Sequence, residues 1–106
     1  MTDTTLADFE TVYRTHVDMV VAGDLKGVMT DMDPAALPAV FEGVNVPRGQ
    51  VDSAEIVRVF VEDQWAVGEA VYRTPDAVIG LRSGWHLADD RWLADHLDNF
   101  EPIASE

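Results

Sequence analysis

Near the end of the chain, the stretch RSGWHLADDRWLADHLDNFEP, Arg82 to Pro102, places Asp95, His96, Asp98 and Asn99 on the second of two strands folded around an acidic turn, Asp89-Asp90. A buried strand is mostly apolar, so these groups raise the question of which of them faces the interior. A carboxylate enclosed by apolar side chains holds its proton more tightly than one in water and can exchange it with a bound molecule. Asp95 is therefore the first candidate for a general acid or base. His16, near the other end of the chain, is the second, because an imidazole can donate a hydrogen bond or move a proton near neutral pH. The competing reading of His16 is a satisfied packing residue of the core.

The elements that position these groups follow from apolar spacing. Leu6, Phe9, Val12, Tyr13, Val17 and Val20 recur at helical intervals, opened by a capping box at Thr5-Leu-Ala-Asp8, and His16 falls on the same stripe. Gly23 suits the left-handed position that ends this helix, and Asp24 can cap a second one. Leu25, Val28, Met29 and Met32 form the expected buried stripe of that second helix, which the sequence DMDP stops at Pro34. PAVFEGVNVP reads as a strand bounded by prolines.

The stretch EIVRVFVEDQWAVGEAVYR is ambiguous. Asp52-Ser-Ala-Glu55 could open a helix, but Ile56, Val57, Val59 and Val61 are β-branched and crowd a helix, so a hairpin is expected. RTPDAV makes a further turn through Pro75-Asp76. The sum is one α+β domain over residues 1–106, two N-terminal helices followed by an antiparallel meander of four or five strands.

In the strand starting at Val78, Ile79, Leu81, Ser83, Trp85 and Leu87 share one face, the more apolar one. Across the turn that face continues through Tyr72, Ala70, Gly68 and Ala66. Small residues there leave either a ligand cavity or room for the long helix to approach closely. With a cavity, Tyr13, Tyr72, Ser83, Trp85 and Asn99 are its polar and aromatic lining, and Trp85 reports ligand binding. In the last strand Leu93 and Leu97 share a face with Asp95 and Asn99, which points Asp95 inward and His96 outward. A register change of one residue exchanges the faces. The alternative has Asp95 at a sheet edge or paired with Arg82 or Arg91. With Asp95 inward, Trp92 and Phe100 on the opposite face form an outward aromatic patch suited to a homodimer.

Charge narrows the partners. Twenty acids stand against seven bases, and only Lys26 among those bases is not arginine. No basic patch is visible that could displace counterions from a nucleic acid, and an anionic membrane surface should repel the chain. No apolar run approaches the length of a membrane span and no secretory signal is visible, so a soluble cytoplasmic protein is expected. There are no cysteines. His16, His86 and His96 have no recognised ligand spacing, and phosphate-cradling glycine motifs and a Gly-x-Ser-x-Gly elbow are absent. No metal and no cofactor is expected.

Two segments carry a family resemblance. VDMVVAGDLKGVMTDMDP, Val17 to Pro34, is similar to the helix–Ala-Gly-Asp-Leu–helix opening of the nuclear-transport-factor-2-like superfamily, which includes ketosteroid isomerases, limonene epoxide hydrolases and SnoaL-like polyketide cyclases. VIGLRSGWHLADDRWLADHLDNF, Val78 to Phe100, resembles its last two strands. The resemblance implies a cone-shaped curved antiparallel sheet wrapped around the N-terminal helices, an apolar pocket and homodimers through the outer sheet face. The third helix of that fold has little room between Asp33 and Ser53, so it is shortened or absent. By the same resemblance His16 takes the place of the isomerases' oxyanion-stabilising tyrosine, their general base falls near Phe41, and their second oxyanion-hole acid falls at Ser83. The hydrolases' catalytic aspartate falls at Leu97, one inward position beyond Asp95.

Two functions remain in view. One is a small-molecule-binding protein acting as a cofactor-independent acid–base enzyme on a small apolar substrate, through isomerisation, cyclisation, dehydration or epoxide opening. The other is a non-catalytic ligand-binding or dimerisation module of the same fold.

Overall fold

The apolar stripe from Phe9 to Val20 folds as expected, into helix α1 (Thr4–Ala22). A computed structural model of the chain describes residues 4–37, 39–47, 49–88 and 91–101, with the backbone alone for residues 4–7. The acidic turn at Asp89-Asp90 and the side chain of Thr5 in the capping box lie outside the described residues. Gly23, at φ 78°, closes α1 in the left-handed region that costs glycine little. Asp24 caps α2 (Leu25–Thr30), its carboxylate accepting from the Gly27 amide at 3.0 Å.

The buried stripe expected on α2 does not form. Leu25 is 70% exposed and Met29 is exposed too, while Met32, just past the helix, is buried. Six residues are too few to present a continuous face, and only the chain beyond them turns toward the core. Pro34 does not stop that helix, which already ends at Thr30 with Asp31 as its cap. It opens a short 3₁₀ turn, Pro34–Ala36, capped by the Asp33 carboxylate, which accepts from the Ala35 amide. The strand expected over PAVFEGVNVP is not one. Ala39–Phe41 forms a second 3₁₀ turn, and Glu42 to Pro47 has no regular structure.

Four strands make an antiparallel sheet in sequence order: β1 (Ser53–Glu62), β2 (Trp65–Arg73), β3 (Val78–Ala88) and β4 (Arg91–Phe100). The hairpin expected over Glu55–Arg73 is present, and Asp63 takes the positive φ of its tight turn. The RTPDAV turn is present as well, closed by the Thr74 and Ala77 backbones. A meander of four strands with helices against one face is an α+β arrangement.

Two bulges break the alternation. Between Ile56 and Arg58 the pairing to β2 skips Val57, and between Gly84 and Trp85 the pairing to β4 skips Asp95. An extra residue in one strand returns the chain to the opposite phase of the pleat. On β4, Trp92 and Ala94 are therefore inward before the bulge, paired with Leu87 and Trp85, while Leu97 and Asn99 take the inner side after it, paired with Ser83 and Leu81. The bulge also leaves Ala94 beside Met32 in a short parallel bridge. The Asp33 amide donates to the Ala94 carbonyl, and the Ala94 amide donates to the Asp31 carbonyl, each at 2.8 Å.

Candidate functional site

The inner face of the sheet is where the sequence places a cavity. Helix α1 fills it. Phe9, Tyr13, His16 and Val17 are all buried along one stripe of α1. Phe9 meets Trp85 and Trp92 edge to face, at centroid distances of 5.5 and 5.1 Å, and stacks on Tyr13. A Cβ added at Gly68 would stand 2.5 Å from the Tyr13 ring. The small residues Ala66, Gly68 and Ala70 therefore let an aromatic ring lie directly on the backbone. Of the two readings open at this face, close approach of the helix is the one realised.

His16 is held in this packing. Its Nδ1 lies 2.9 Å from Asp31 Oδ2, and because a carboxylate only accepts, Nδ1 carries the proton and donates. The ring stands edge-on to Trp85 at 5.0 Å and stacks beside Tyr13. Asp31 is shared, since Arg91 Nη2 donates to its other oxygen and to the Thr30 carbonyl. Ser83 is buried and accepts from Trp85 Nε1 at 2.8 Å, while its own hydroxyl hydrogen-bonds Tyr13. Burial pushes the Tyr13 phenol well above its ordinary range; the neighbouring Tyr72 adds to the rise, and the Ser83 hydrogen bond opposes it. Burial alone raises Tyr72.

Four of the expected site residues, Tyr13, His16, Ser83 and Trp85, thus come together, but as a packed core rather than a lining. Trp85 is 1% exposed and bounded by Phe9, Tyr13 and His16. Tyr72 is buried on the same face, opposite Ile79. Asn99 acts as a structural clip. Its side-chain amide donates to the Gly80 and Asn45 carbonyls, and its oxygen accepts from the Asn45 amide. These bonds fasten the irregular segment after Phe41 to β4.

Asp95 is a correction. It is exposed, on the outer side of the sheet, because the bulge removes it from the pairing that would have turned it in. Neither Arg82 nor Arg91 is its partner: its Oδ2 lies 3.0 Å from His86 Nδ1. The outward placement of His96 holds. Trp92 is a second correction, buried against Phe9 instead of outward beside Phe100. Asp95 and His16 therefore belong to opposite faces and cannot serve one reaction centre.

The outer face has groups that the sequence reading passed over. Arg82 Nε donates to Glu69 at 2.8 Å and its Nη1 to Asp98 at 3.0 Å, with the guanidinium also over the Phe100 ring. Trp65, 44% exposed, stands directly across from His86, with Phe60 against its edge. Where α1 crosses β1, a cleft of about 310 Å³ is lined by Glu10, Arg14, Val17 and Asp18 of the helix and Ala54, Ile56 and Val59 of the strand. No helix among the described residues is long and apolar enough to cross a membrane. No family model, curated protein or solved structure matches the chain.

Proposed function

We propose that this chain is a non-catalytic association module, a shortened relative of the nuclear-transport-factor-2-like proteins that pairs with a second copy of itself through the outer face of its sheet. The observation that carries this reading is the division of labour between the two faces. Aromatic side chains of α1 occupy the part of the inner face that the small residues of β2 would otherwise leave open. The outer face keeps apolar surface in contact with water. Trp65 and Val78 are exposed, and Phe60, Val67, Leu93 and Phe100 are only half-buried beside them.

Charge and size fit a second copy. The chain as a whole carries −13. By alternation the outer face bears Arg58, Arg73 and Arg82 against Glu55, Glu62, Glu69, Asp95 and Asp98, so two such faces meet without opposing most of that charge. Four strands spaced about 4.8 Å, each about ten residues long, present roughly 600 Å². That approaches the roughly 800 Å² per partner of a standard interface. The resemblance in the Ala-Gly-Asp-Leu opening and the closing hairpin points to the same face.

Sedimentation equilibrium tests this. The wild type should weigh twice its 11.7 kDa at micromolar concentration. Trp65→Asp should return it to the monomer mass with an unchanged circular dichroism spectrum, because the side chain is largely exposed. Leu25→Asp, on the remote α2, should leave the dimer intact. A wild type that stays monomeric to a few hundred micromolar excludes the proposal.

A second reading, a binder of small molecules, is favoured by the cleft between α1 and β1. Its floor of Val17, Ala54, Ile56 and Val59 is apolar, and its rim of Glu10, Arg14 and Asp18 is charged. That pattern suits a small amphipathic ligand.

A further inference from the structure

We propose that Asp33, His86 and Asp95 form a binding site for a divalent transition-metal ion, with zinc as the best-matched occupant. The donors come from three separate segments: the turn after α2, strand β3 and the bulge of β4. One donor atom from each lies within 4.8 Å of the others. A bound ion with ligands at about 2.0–2.2 Å holds its donors about 3–4 Å apart, so closing the site takes movements on the order of an ångström. Asp95, with its side chain 44% exposed, has room to make them.

Three independent features favour an ion here. His86 Nδ1 is buried and makes no hydrogen bond, although Asp95 Oδ2 is only 3.0 Å away. A buried polar nitrogen without a partner is costly, and coordination would satisfy it. The second feature is charge. Asp33 Oδ2 lies 3.3 Å from His86 Nε2, and among the described residues no lysine or arginine pairs with Asp33 or Asp95. The third is preorganisation. The Ala35 amide donates to Asp33 Oδ1 at 2.9 Å, which leaves Oδ2 turned toward the histidine. The bulge does the same for Asp95, aiming it out of the ladder and at the ring.

The donor set selects the ion. One imidazole with two carboxylates suits zinc, cobalt or manganese better than calcium or magnesium, which prefer all-oxygen shells. Without thiolates it does not favour soft ions, and imidazole is a good zinc ligand. Three protein donors leave the remaining coordination position to water.

Calorimetric titration of the chelator-treated full chain with zinc tests the site. One zinc per chain is expected, with Kd on the order of 10 µM or tighter, and magnesium should give no comparable isotherm. At free zinc ten times Kd, Tm should rise by about 5–10 °C. Asp95→Asn and His86→Gln should each weaken zinc at least tenfold, whereas His96→Ala, an exposed neighbour on β4, should leave it unchanged. Cobalt should quench Trp65, which lies across the ladder from His86. Absence of saturable zinc binding overturns the site, leaving an imidazole held between two carboxylates. So does binding that both substitutions leave intact, since the acidic surface would then be collecting zinc without a defined site. If His86→Gln does not fold, Asp95→Asn, at an exposed position, decides alone.

Discussion

Phe9→Ala should destabilise the protein by about 3–5 kcal/mol, the usual cost of emptying a buried aromatic position. Phe9 is fully buried, and its ring touches Tyr13, Trp85 and Trp92 together, so its loss strips three other large side chains of their common neighbour. A domain of 106 residues has on the order of 5–15 kcal/mol in all. The substitution should therefore lower the urea midpoint by about 2 M at an ordinary denaturant slope. The space left behind is lined by aromatic groups, and an apolar cavity of that kind stays dry and accepts small apolar molecules. Benzene or a similar probe should raise the Tm of Phe9→Ala and leave the wild type unaffected. A loss below about 1 kcal/mol would mean that the aromatic cluster is not the core of this fold.

The second large effect is alkaline. Tyr13 and Tyr72 are the only tyrosines, both are buried, and burial raises both phenols. The unfolded chain ionises them near pH 10, while the folded chain keeps them neutral. Above that pH the native state binds more protons than the unfolded one, so stability falls as pH rises. Below it both states hold these protons and the stability is fully present. Each tyrosine should contribute a slope of about 1.4 kcal/mol per pH unit. Tyrosinate absorbance should therefore stay absent in the folded protein past pH 11 and then appear together with the loss of circular dichroism. Tyr72→Phe should halve the slope. Gradual ionisation with the fold intact would place at least one phenol in contact with water.

Much of this architecture is written locally. Gly23 and Asp24 punctuate the helices because one tolerates positive φ and the other supplies a capping oxygen, and neither needs information from the rest of the chain. The β-branched run from Ile56 to Val61 and the Thr74–Ala77 turn likewise declare strands and a reversal. The short α2 misleads for the opposite reason. Leu25 and Met29 have helical spacing, but burial requires a partner surface, and six residues do not reach one.

The site was less legible than the fold. Strict alternation along β4 puts Asp95 with Leu97, and one unpaired residue reverses the half before it, carrying Asp95 and Leu93 out and Trp92 in. Nothing in LADHLDNF marks that bulge. Gly68 was readable as space, yet whether a ligand or the Tyr13 ring fills the space depends on how closely the helix approaches. Asp33, His86 and Asp95 have no diagnostic spacing because three distant segments supply them. The available signal was Asp33-Pro34, a capping carboxylate fixed in orientation, and the register that sets His86 across from Leu93.

The central claim is that the inner face is filled and that association uses the outer one. Indole N–H exchange with solvent, followed by NMR at increasing protein concentration, tests both halves together. Trp85, whose Nε1 donates to Ser83, and Trp92, whose Nε1 is buried, should exchange slowly at every concentration. The Trp65 indole should exchange fast in dilute solution and become protected as the protein concentrates. Fast exchange at Trp85 in the dilute, folded protein would contradict the filled interior. A Trp65 indole that exchanges equally fast at all concentrations would contradict association through the outer face.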